Sequence, residues 1–141
     1  MPDTVFSFPV RVYVEDTDAG GIVYYVNYLK FMERARTEFM RSLGFEQKLS
    51  AESETQFVVH SANIKYLLPA QMDMLLKVSV KVLKVAKTYF VLEQEVYCEN
   101  FTQLFSSAEV KVACIENSKF KPQAMPEFLY TALNQQLSQT K

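Results

Sequence analysis

One stretch of this chain has the hydrophobic spacing of a long helix, and strand-like segments lie on both sides of it. Its apolar residues recur every three or four positions: Tyr28, Met32, Ala35, Phe39 and Leu43. This spacing places them on one face of a helix. Asn27 is the expected N-cap, and Gly44 is the expected residue at which the helix stops. This chain therefore has one long helix, and its strand-like segments must pack around that helix.

The other segments have the composition and alternation of strands. The predicted strands are residues 5–14, 56–67, 75–85, 88–97 and 103–115. In the first strand, the alternation puts Val10, Val12 and Val14 on one face. Short polar breaks between the last three strands favour antiparallel hairpins. A polar, irregular segment is expected at 45–55 and a short terminal helix at 126–137.

The order of these elements predicts an α+β fold in one domain. The 141 residues contain no linker or internal repeat, so residues 1–141 are expected to form a single domain. A five-stranded antiparallel sheet must bury one face, and wrapping it around the long helix achieves this. The outer face and both edges of the sheet remain only partly covered. Association between subunits is therefore expected.

Composition excludes several classes of protein. A formal net charge of −1 argues against binding to DNA or to an anionic membrane through a polybasic surface. It does not exclude binding to single-stranded nucleic acid by aromatic stacking, which needs little charge. Cys98 and Cys114 lack CxxC spacing and His60 is the single histidine, so no zinc site is expected. The N-terminus has no signal-peptide pattern and no apolar run is long enough to span a bilayer. The sequence predicts a cytoplasmic protein.

An acidic, glycine-containing turn between the first strand and the helix is the main candidate for chemistry. It runs Glu15-Asp16-Thr17-Asp18-Ala19-Gly20-Gly21-Ile22-Val23-Tyr24-Tyr25. The helix that follows offers free backbone amides and positive potential at its N-terminus. A carboxylate can activate water or attack a carbonyl, while such amides stabilise an oxyanion. The turn therefore contains two parts of a hydrolytic site.

Other interpretations of the turn stay open at this point. An EF-hand loop beginning at Asp16 would have Gly20 at its fifth position and Asn27 at its twelfth, where Asp or Asn and Glu are expected. No Gly-Lys-Ser/Thr follows to make a phosphate-binding loop. The acidic residues could instead simply stabilise the helix dipole. Elsewhere, Glu33 on the helix and His60 in a strand could serve as acid or base, but the sequence favours a solvated residue for Glu33 and a packed or surface residue for His60.

The turn and several later motifs resemble the YbgC-type acyl-CoA thioesterases, a part of the 4-hydroxybenzoyl-CoA thioesterase group in the hot dog superfamily. The first matching motifs are Asp16-Thr17-Asp18-Ala19-Gly20-Gly21-Ile22-Val23-Tyr24, Asn27-Tyr28 and Glu33-Arg34-Ala35-Arg36. The later ones are Ile64-x-Tyr66-x-x-Pro69-Ala70-x-x-Asp73, Ala108-Glu109-Val110 and Lys121-Pro122. The likeness thus extends over nearly the whole chain.

The resemblance implies a hot dog fold and a site for acyl-CoA hydrolysis. It gives Asp18 the role of essential carboxylate and the backbone N–H of Tyr25 that of oxyanion donor. No metal or other cofactor is implied, because CoA is part of the substrate. Family members form dimers or tetramers with active sites between subunits. The residues expected to contact substrate are Gly21, Ile22, Val23, Tyr24, Tyr28, Val59, His60 and Ser61.

Two positions depart from the family pattern. Many relatives carry His where Tyr25 stands and Tyr where Val14 stands. A phenol is a poor base at neutral pH but can donate a hydrogen bond. The alternative function is a non-catalytic scaffold that binds acyl carrier protein or partners near the cell envelope, since the resemblance also implies an association with the Tol-Pal system. Hot dog dehydratases use a histidine in the turn or helix, which this chain lacks.

Overall fold

The computed structural model describes residues 5–46 and 55–139. Its elements are β1 (Phe6–Arg11), a 3-10 helix (Val14–Asp16), α1 (Tyr25–Ser42), β2 (Thr55–Tyr66), β3 (Leu75–Val85), β4 (Tyr89–Cys98), β5 (Leu104–Glu116) and α2 (Glu127–Gln139). The five predicted strands and both predicted helices are confirmed. For most of these elements the observed bounds differ from the predicted ones by a few residues. Of the segment predicted to be irregular, residues 47–54 lie outside the described residues.

The five strands form one antiparallel sheet in the order β1-β3-β4-β5-β2. The consecutive strands β3, β4 and β5 are neighbours, as the short polar breaks between them predicted. β1 and β2 each pair with one neighbour and form the two edges. The predicted architecture, a five-stranded antiparallel sheet around one long helix, is confirmed.

Helix α1 supplies the centre of the hydrophobic core. Four residues of its predicted apolar stripe are buried, from Tyr28 through Met32 and Ala35 to Phe39. They share a core with alternate residues of the central strands and with Leu129 and Leu133 of α2: the strand residues include Val78, Val80, Val82, Leu92, Val110 and Val112. Burial of this apolar surface is what holds the sheet against the helix.

The C-terminal end of α1 follows the sequence prediction. Gly44 has a φ of +92°. This conformation is energetically unfavourable for an L-residue that has a side chain. The amides of Gly44 and Phe45 donate to the carbonyls of Arg41 and Met40, each at 3.0 Å. These two bonds form a Schellman motif, which satisfies the last carbonyls of the helix.

Two details of the N-terminal third differ from the prediction. Asn27 is not the N-cap, because α1 begins at Tyr25 and Tyr24 occupies the cap position without a side-chain hydrogen bond. Val14 does not continue the buried face of Val10 and Val12, since it is 72% exposed. The strand ends at Arg11, and the 3-10 helix that follows turns Val14 outward.

Strand β2 is a long edge of the sheet with exposed side chains. Residues 59–63 of this strand are all exposed. The register with β5 shifts between Val59 and Ser61, so His60 occupies a bulge. Among the described residues, neither helix has the length and apolar composition required to cross a membrane.

Candidate active site

The acidic turn folds into a small hairpin ahead of α1. Thr17 and Val23 form an antiparallel bridge, and the Asp18 amide donates to the Ile22 carbonyl at 2.9 Å. The Gly21 amide donates to the Asp18 carbonyl at 3.0 Å and closes the turn. Gly21 has a φ of +78°, which explains the need for glycine at this position.

Backbone bonds fix this hairpin to the segment that precedes β3. The Val23 amide donates to the Ala70 carbonyl at 2.8 Å, and Ile22 forms a bridge with Gln71. The Ala70 amide in turn donates to the Tyr28 hydroxyl at 3.1 Å. The hairpin, the first turn of α1 and this segment are therefore held together by direct contacts.

The acidic residues of the turn lie in different surroundings. Asp16 is only 3% exposed. One oxygen of its carboxylate accepts a bond of 2.8 Å from the Tyr13 amide, and the other accepts one of 2.9 Å from the Asn27 side-chain amide. Glu15, by contrast, is exposed. Asp16 therefore joins the end of the first strand segment to α1, which is a structural role.

Asp18 presents its carboxylate at the surface of this chain. The side chain is exposed, and its Oδ1 accepts a hydrogen bond of 2.9 Å from the Gly20 amide. Its Oδ2 accepts no hydrogen bond from any residue in the described parts of the chain. The local turn therefore orients the carboxylate and leaves one oxygen available for water or substrate.

The N-terminus of α1 offers two free amides beside this hairpin. The backbone amide of Asn27 donates to the Tyr24 carbonyl at 2.8 Å, and the Tyr24 amide donates to the Asp16 carbonyl at 2.9 Å. Within residues 5–46 and 55–139, nothing accepts a hydrogen bond from the amides of Tyr25 and Val26. Free amides at a helix N-terminus, supported by the helix dipole, can bind an anion or an oxyanion.

A cluster of tyrosine rings lies at the start of α1. The ring of Tyr25 lies 5.1 Å from Tyr24 and 5.8 Å from Tyr66, and Tyr66 lies 5.6 Å from Tyr28. Desolvation, followed in size by the effect of Tyr25, raises the pKa of Tyr66 above its ordinary value. Tyr66 is part of a family motif in the sequence, but no role was predicted for it. Its place at the end of β2, against α1, could be found only from the fold.

The predicted substrate contacts fall into two groups. Gly21 and Tyr24 are exposed and Ile22 is half-buried, whereas Val23 and Tyr28 are 4% and 3% exposed and belong to the core. The second group, 59–61, lies on the exposed edge strand β2. In the described chain, no hydrogen bond or ring contact joins this second group to the hairpin. Its role beside the substrate stays a prediction.

The other candidates from the sequence lie apart from this hairpin. Glu33 is exposed on α1 and His60 is exposed in the β2 bulge. No three His, Cys, Asp or Glu side chains of the described residues come together as a potential metal site. Hydrolysis without a resident metal or other cofactor stays a prediction that rests on the family resemblance.

The known proteins that this chain resembles are thioesterases. The thioesterase-like superfamily model matches residues 12–133. Acyl-CoA thioesterase YbgC of Haemophilus influenzae is 46% identical over 135 residues, which cover 95% of this chain and 98% of that protein. Acyl-CoA thioester hydrolase YbgC of Escherichia coli is 38% identical over 135 residues, which cover 96% of this chain and 100% of that protein. A crystal structure of a probable thioesterase from Bartonella henselae has a TM-score of 0.76 at 36% identity, covering 86% and 98%.

The antiparallel sheet around one long helix, together with the superfamily match, identifies a thioesterase of the hot dog class. This chain belongs to the thioesterase-like superfamily and, within it, to the YbgC family of acyl-CoA thioesterases.

Proposed function

We propose that this chain hydrolyses acyl-CoA thioesters with the Asp18 carboxylate and the backbone N–H of Tyr25. The observation that supports this proposal is that one hairpin carries an accessible carboxylate on one arm and leads into free helix amides on the other. The relatives named as acyl-CoA thioesterases identify the substrate class. They leave the role of each residue to be tested.

The reaction divides between these two groups. The Asp18 carboxylate either removes a proton from the attacking water or attacks the thioester carbonyl itself, in which case water hydrolyses the resulting anhydride. In both routes, negative charge forms on the carbonyl oxygen and receives a hydrogen bond from the Tyr25 N–H. The C–S bond then breaks, and CoA leaves as the thiolate. A positioned base supplies about 10²–10⁴-fold in rate, and one oxyanion donor about 10²–10³-fold.

The Tyr25 side chain has a second role in this proposal. It is 57% exposed and packs edge-on against Tyr24 and Tyr66. A neutral phenol cannot accept the proton that a histidine would take at this position, but it can donate a hydrogen bond. We therefore assign the Tyr25 ring to substrate contact and assign base chemistry to Asp18 alone.

A homo-oligomer is part of the proposal because large apolar side chains at the start of α1 are exposed in a single chain. β2 is an edge of 12 residues, and exposed apolar side chains lie along it and beside α1: Val59, Tyr66, Leu67, Tyr25 and Leu29. Unpaired edges and contiguous apolar patches favour association. Two copies that join their β2 edges about a two-fold axis would cover this surface. The 59–61 segment of one copy would then lie near the other copy.

The oxyanion donor can be removed without removing the helix. Proline is well tolerated at the first helical position, which Tyr25 occupies, and it has no N–H. Tyr24 already has extended angles, φ −62° and ψ 131°, as a residue before proline requires. Tyr25→Pro is therefore expected to lower kcat about 10²–10³-fold relative to Tyr25→Ala, which loses the ring but keeps the amide.

Tyr25→Ala and Tyr25→Pro form a matched pair, so the comparison isolates the N–H group. Equal kcat values for the two folded variants would assign oxyanion stabilisation to another group. Circular dichroism checks that α1 is intact in both.

The activity itself is tested by release of free CoA from a panel of short, long and aromatic acyl-CoA substrates. Saturable turnover with at least one member is expected. Capture of acyl carrier protein with no turnover on any member would favour the scaffold function instead. Cytoplasmic location and an association with the Tol-Pal system stay predictions from the family resemblance.

A further inference from the structure

A cavity of about 420 Å³ lies between the second half of α1 and the beginning of β2. Its size is in the range of small-molecule sites. Its walls are mainly apolar and include Met40, Phe45, Phe57, Phe90, Leu92 and Val112. None of the hairpin residues 15–25 is among the described residues that line it. The cavity therefore lies further along α1 than the carboxylate and free amides described above.

One of the two arginines in the described wall of this cavity, Arg36, is partly buried. Of the four charged residues in the described wall, Arg36 is the one that is not exposed. Its Nη1 donates a hydrogen bond of 3.0 Å to Oε1 of Gln94. Gln94 is fully buried, and its Nε2 donates to the Met32 carbonyl at 2.9 Å. Both ends of the glutamine are thus engaged, and they fix the guanidinium in place.

Within the described residues, Arg36 has no counterpart to the carboxylates that pair with Arg41. Arg41, also in the wall, forms ion pairs with Glu38 at 3.2 Å and with Glu46 at 3.0 Å. No carboxylate of the described residues lies within ion-pair distance of Arg36, although Glu33 lies near enough to act on it electrostatically. Desolvation, which outweighs the opposing effect of Glu33, lowers the pKa of Arg36, but an arginine remains charged at neutral pH.

A partly buried cation to which the described residues bring no carboxylate is costly, and an anion brought to it would offset that cost. A guanidinium also has five N–H donors, of which Gln94 accepts one. An apolar cavity with such a group in its wall fits a ligand that has a hydrocarbon body and a carboxylate at one end. It fits a plain hydrocarbon chain less well.

We infer that this cavity receives the acyl chain of the substrate and that Arg36 binds a carboxylate at the far end of that chain. The inference rests on the proposed thioesterase function and narrows its substrate class to CoA esters of dicarboxylic acids. Arg36 follows Tyr25 by eleven residues, or about 16 Å along the helix axis. The preference should consequently appear only when the acyl chain is long enough to reach the guanidinium.

The test compares matched substrates that differ only in the terminal group. The pairs are adipoyl- with hexanoyl-CoA, sebacoyl- with decanoyl-CoA, and hexadecanedioyl- with palmitoyl-CoA. For each pair, the measured quantity is the ratio of kcat/KM for the dicarboxylic ester to kcat/KM for the plain ester. The wild-type ratio is expected to exceed one for at least the longest pair. Ratios at or below one for all three pairs would contradict the inference without any variant.

Arg36→Met tests the residue. Loss of one charge-assisted hydrogen bond is expected to lower the ratio about tenfold to one-hundredfold, mainly through KM of the dicarboxylic ester. Arg36→Lys should retain part of the preference. Arg34→Met is the matched control, because Arg34 is exposed on the same helix and lies outside the described wall of the cavity. An equal loss on both members of each pair would indicate a structural role and contradict the inference.

A second variant keeps the guanidinium of Arg36 but makes it unavailable to the carboxylate of a substrate. Gln94→Glu places a carboxylate where the glutamine oxygen now contacts Arg36, so it should pair with the guanidinium and abolish the preference for dicarboxylic esters. An unchanged ratio in this variant would contradict the assignment. The two proposals fail separately: absence of turnover on every ester contradicts the thioesterase, whereas turnover without a dependence on Arg36 contradicts only this inference.

Discussion

At the scale of single residues, Asp16 and Asp18 differ in burial although they are two positions apart. Asp16 is buried with two hydrogen-bond donors, while Asp18 is exposed with one. The sequence identified the acidic turn as a candidate site, and the family resemblance singled out Asp18. It could not reveal the structural role of Asp16, because that role depends on Asn27 eleven residues away.

The two aspartates are expected to affect stability differently. Asp16→Ala leaves the Tyr13 amide and the Asn27 side chain without their acceptor, so we expect it to lower the free energy of unfolding by about 2–4 kcal/mol. Asp18→Asn can keep the bond from Gly20 and should change it by less than about 0.5 kcal/mol. Urea denaturation measures both values. Similar losses for the two variants would contradict the distinction.

The two thiols are also expected to differ, and the difference depends on pH. The hydrogen bond between Cys98 and the Thr102 hydroxyl, together with the one that the Gln103 amide donates, lowers the pKa of Cys98, so its thiolate fraction becomes appreciable at lower pH than for an ordinary cysteine. Burial raises the pKa of Cys114 to about 11. Because the thiolate is the reactive form, iodoacetamide should modify Cys98 first as the pH rises.

Mass spectrometry of the folded protein, with Cys98→Ser as control, measures this order of modification. Comparable rates at Cys98 and Cys114 would contradict it.

At the scale of elements, the sequence predicted most of the fold but not the start of α1. The 75–85 strand was predicted with its observed bounds because its valines alternate regularly with polar residues. The helix stripe and its glycine stop were also confirmed. Its N-terminus was misplaced because the side chain of Asn27 looks like a cap but bonds to Asp16, while the real cap position, Tyr24, carries no capping side chain.

The glycine stop of α1 can be tested directly. At a φ of +92°, Gly44→Ala should cost about 1–2 kcal/mol of unfolding free energy through backbone strain. A new Cβ would meet Phe128 at an ordinary contact distance of 3.8 Å, so steric conflict adds little. Gly44→Asn should cost less, because asparagine tolerates this conformation better. Thermal unfolding compares the variants, and equal stability of all three proteins would contradict this explanation of the helix stop.

At the scale of the whole molecule, the edge strand β2 reaches the site at its C-terminal end, where the ring of Tyr66 lies 5.8 Å from that of Tyr25. The sequence predicted that sheet edges would stay uncovered, because only one long helix is available to cover five strands. It could not predict the cavity beside Arg36, because its wall joins α1 and the start of β2 to Phe90, Leu92 and Val112, which come much later in the chain. The proposed pairing of two β2 edges follows from exposure along that strand.

Ser61→Glu tests this pairing. Ser61 is exposed near the middle of β2, so joining two copies there about a two-fold axis would bring two introduced carboxylates close together. Light scattering is expected to give an oligomer for the wild type and a monomer for Ser61→Glu. Gln103→Glu adds the same charge at an exposed position beside the β4–β5 turn and should leave the mass unchanged. A monomeric wild type would contradict the proposed assembly.

The central claim is that the carboxylate of Asp18 performs the hydrolysis, and kcat/KM of Asp18→Asn on the best acyl-CoA substrate tests it most directly. The variant keeps the size of the side chain and its bond to Gly20 but loses the negative charge. We expect a fall of about 10²–10⁴-fold with unchanged unfolding free energy and oligomer mass. A folded, fully assembled Asp18→Asn protein that releases CoA at the wild-type rate would contradict the account.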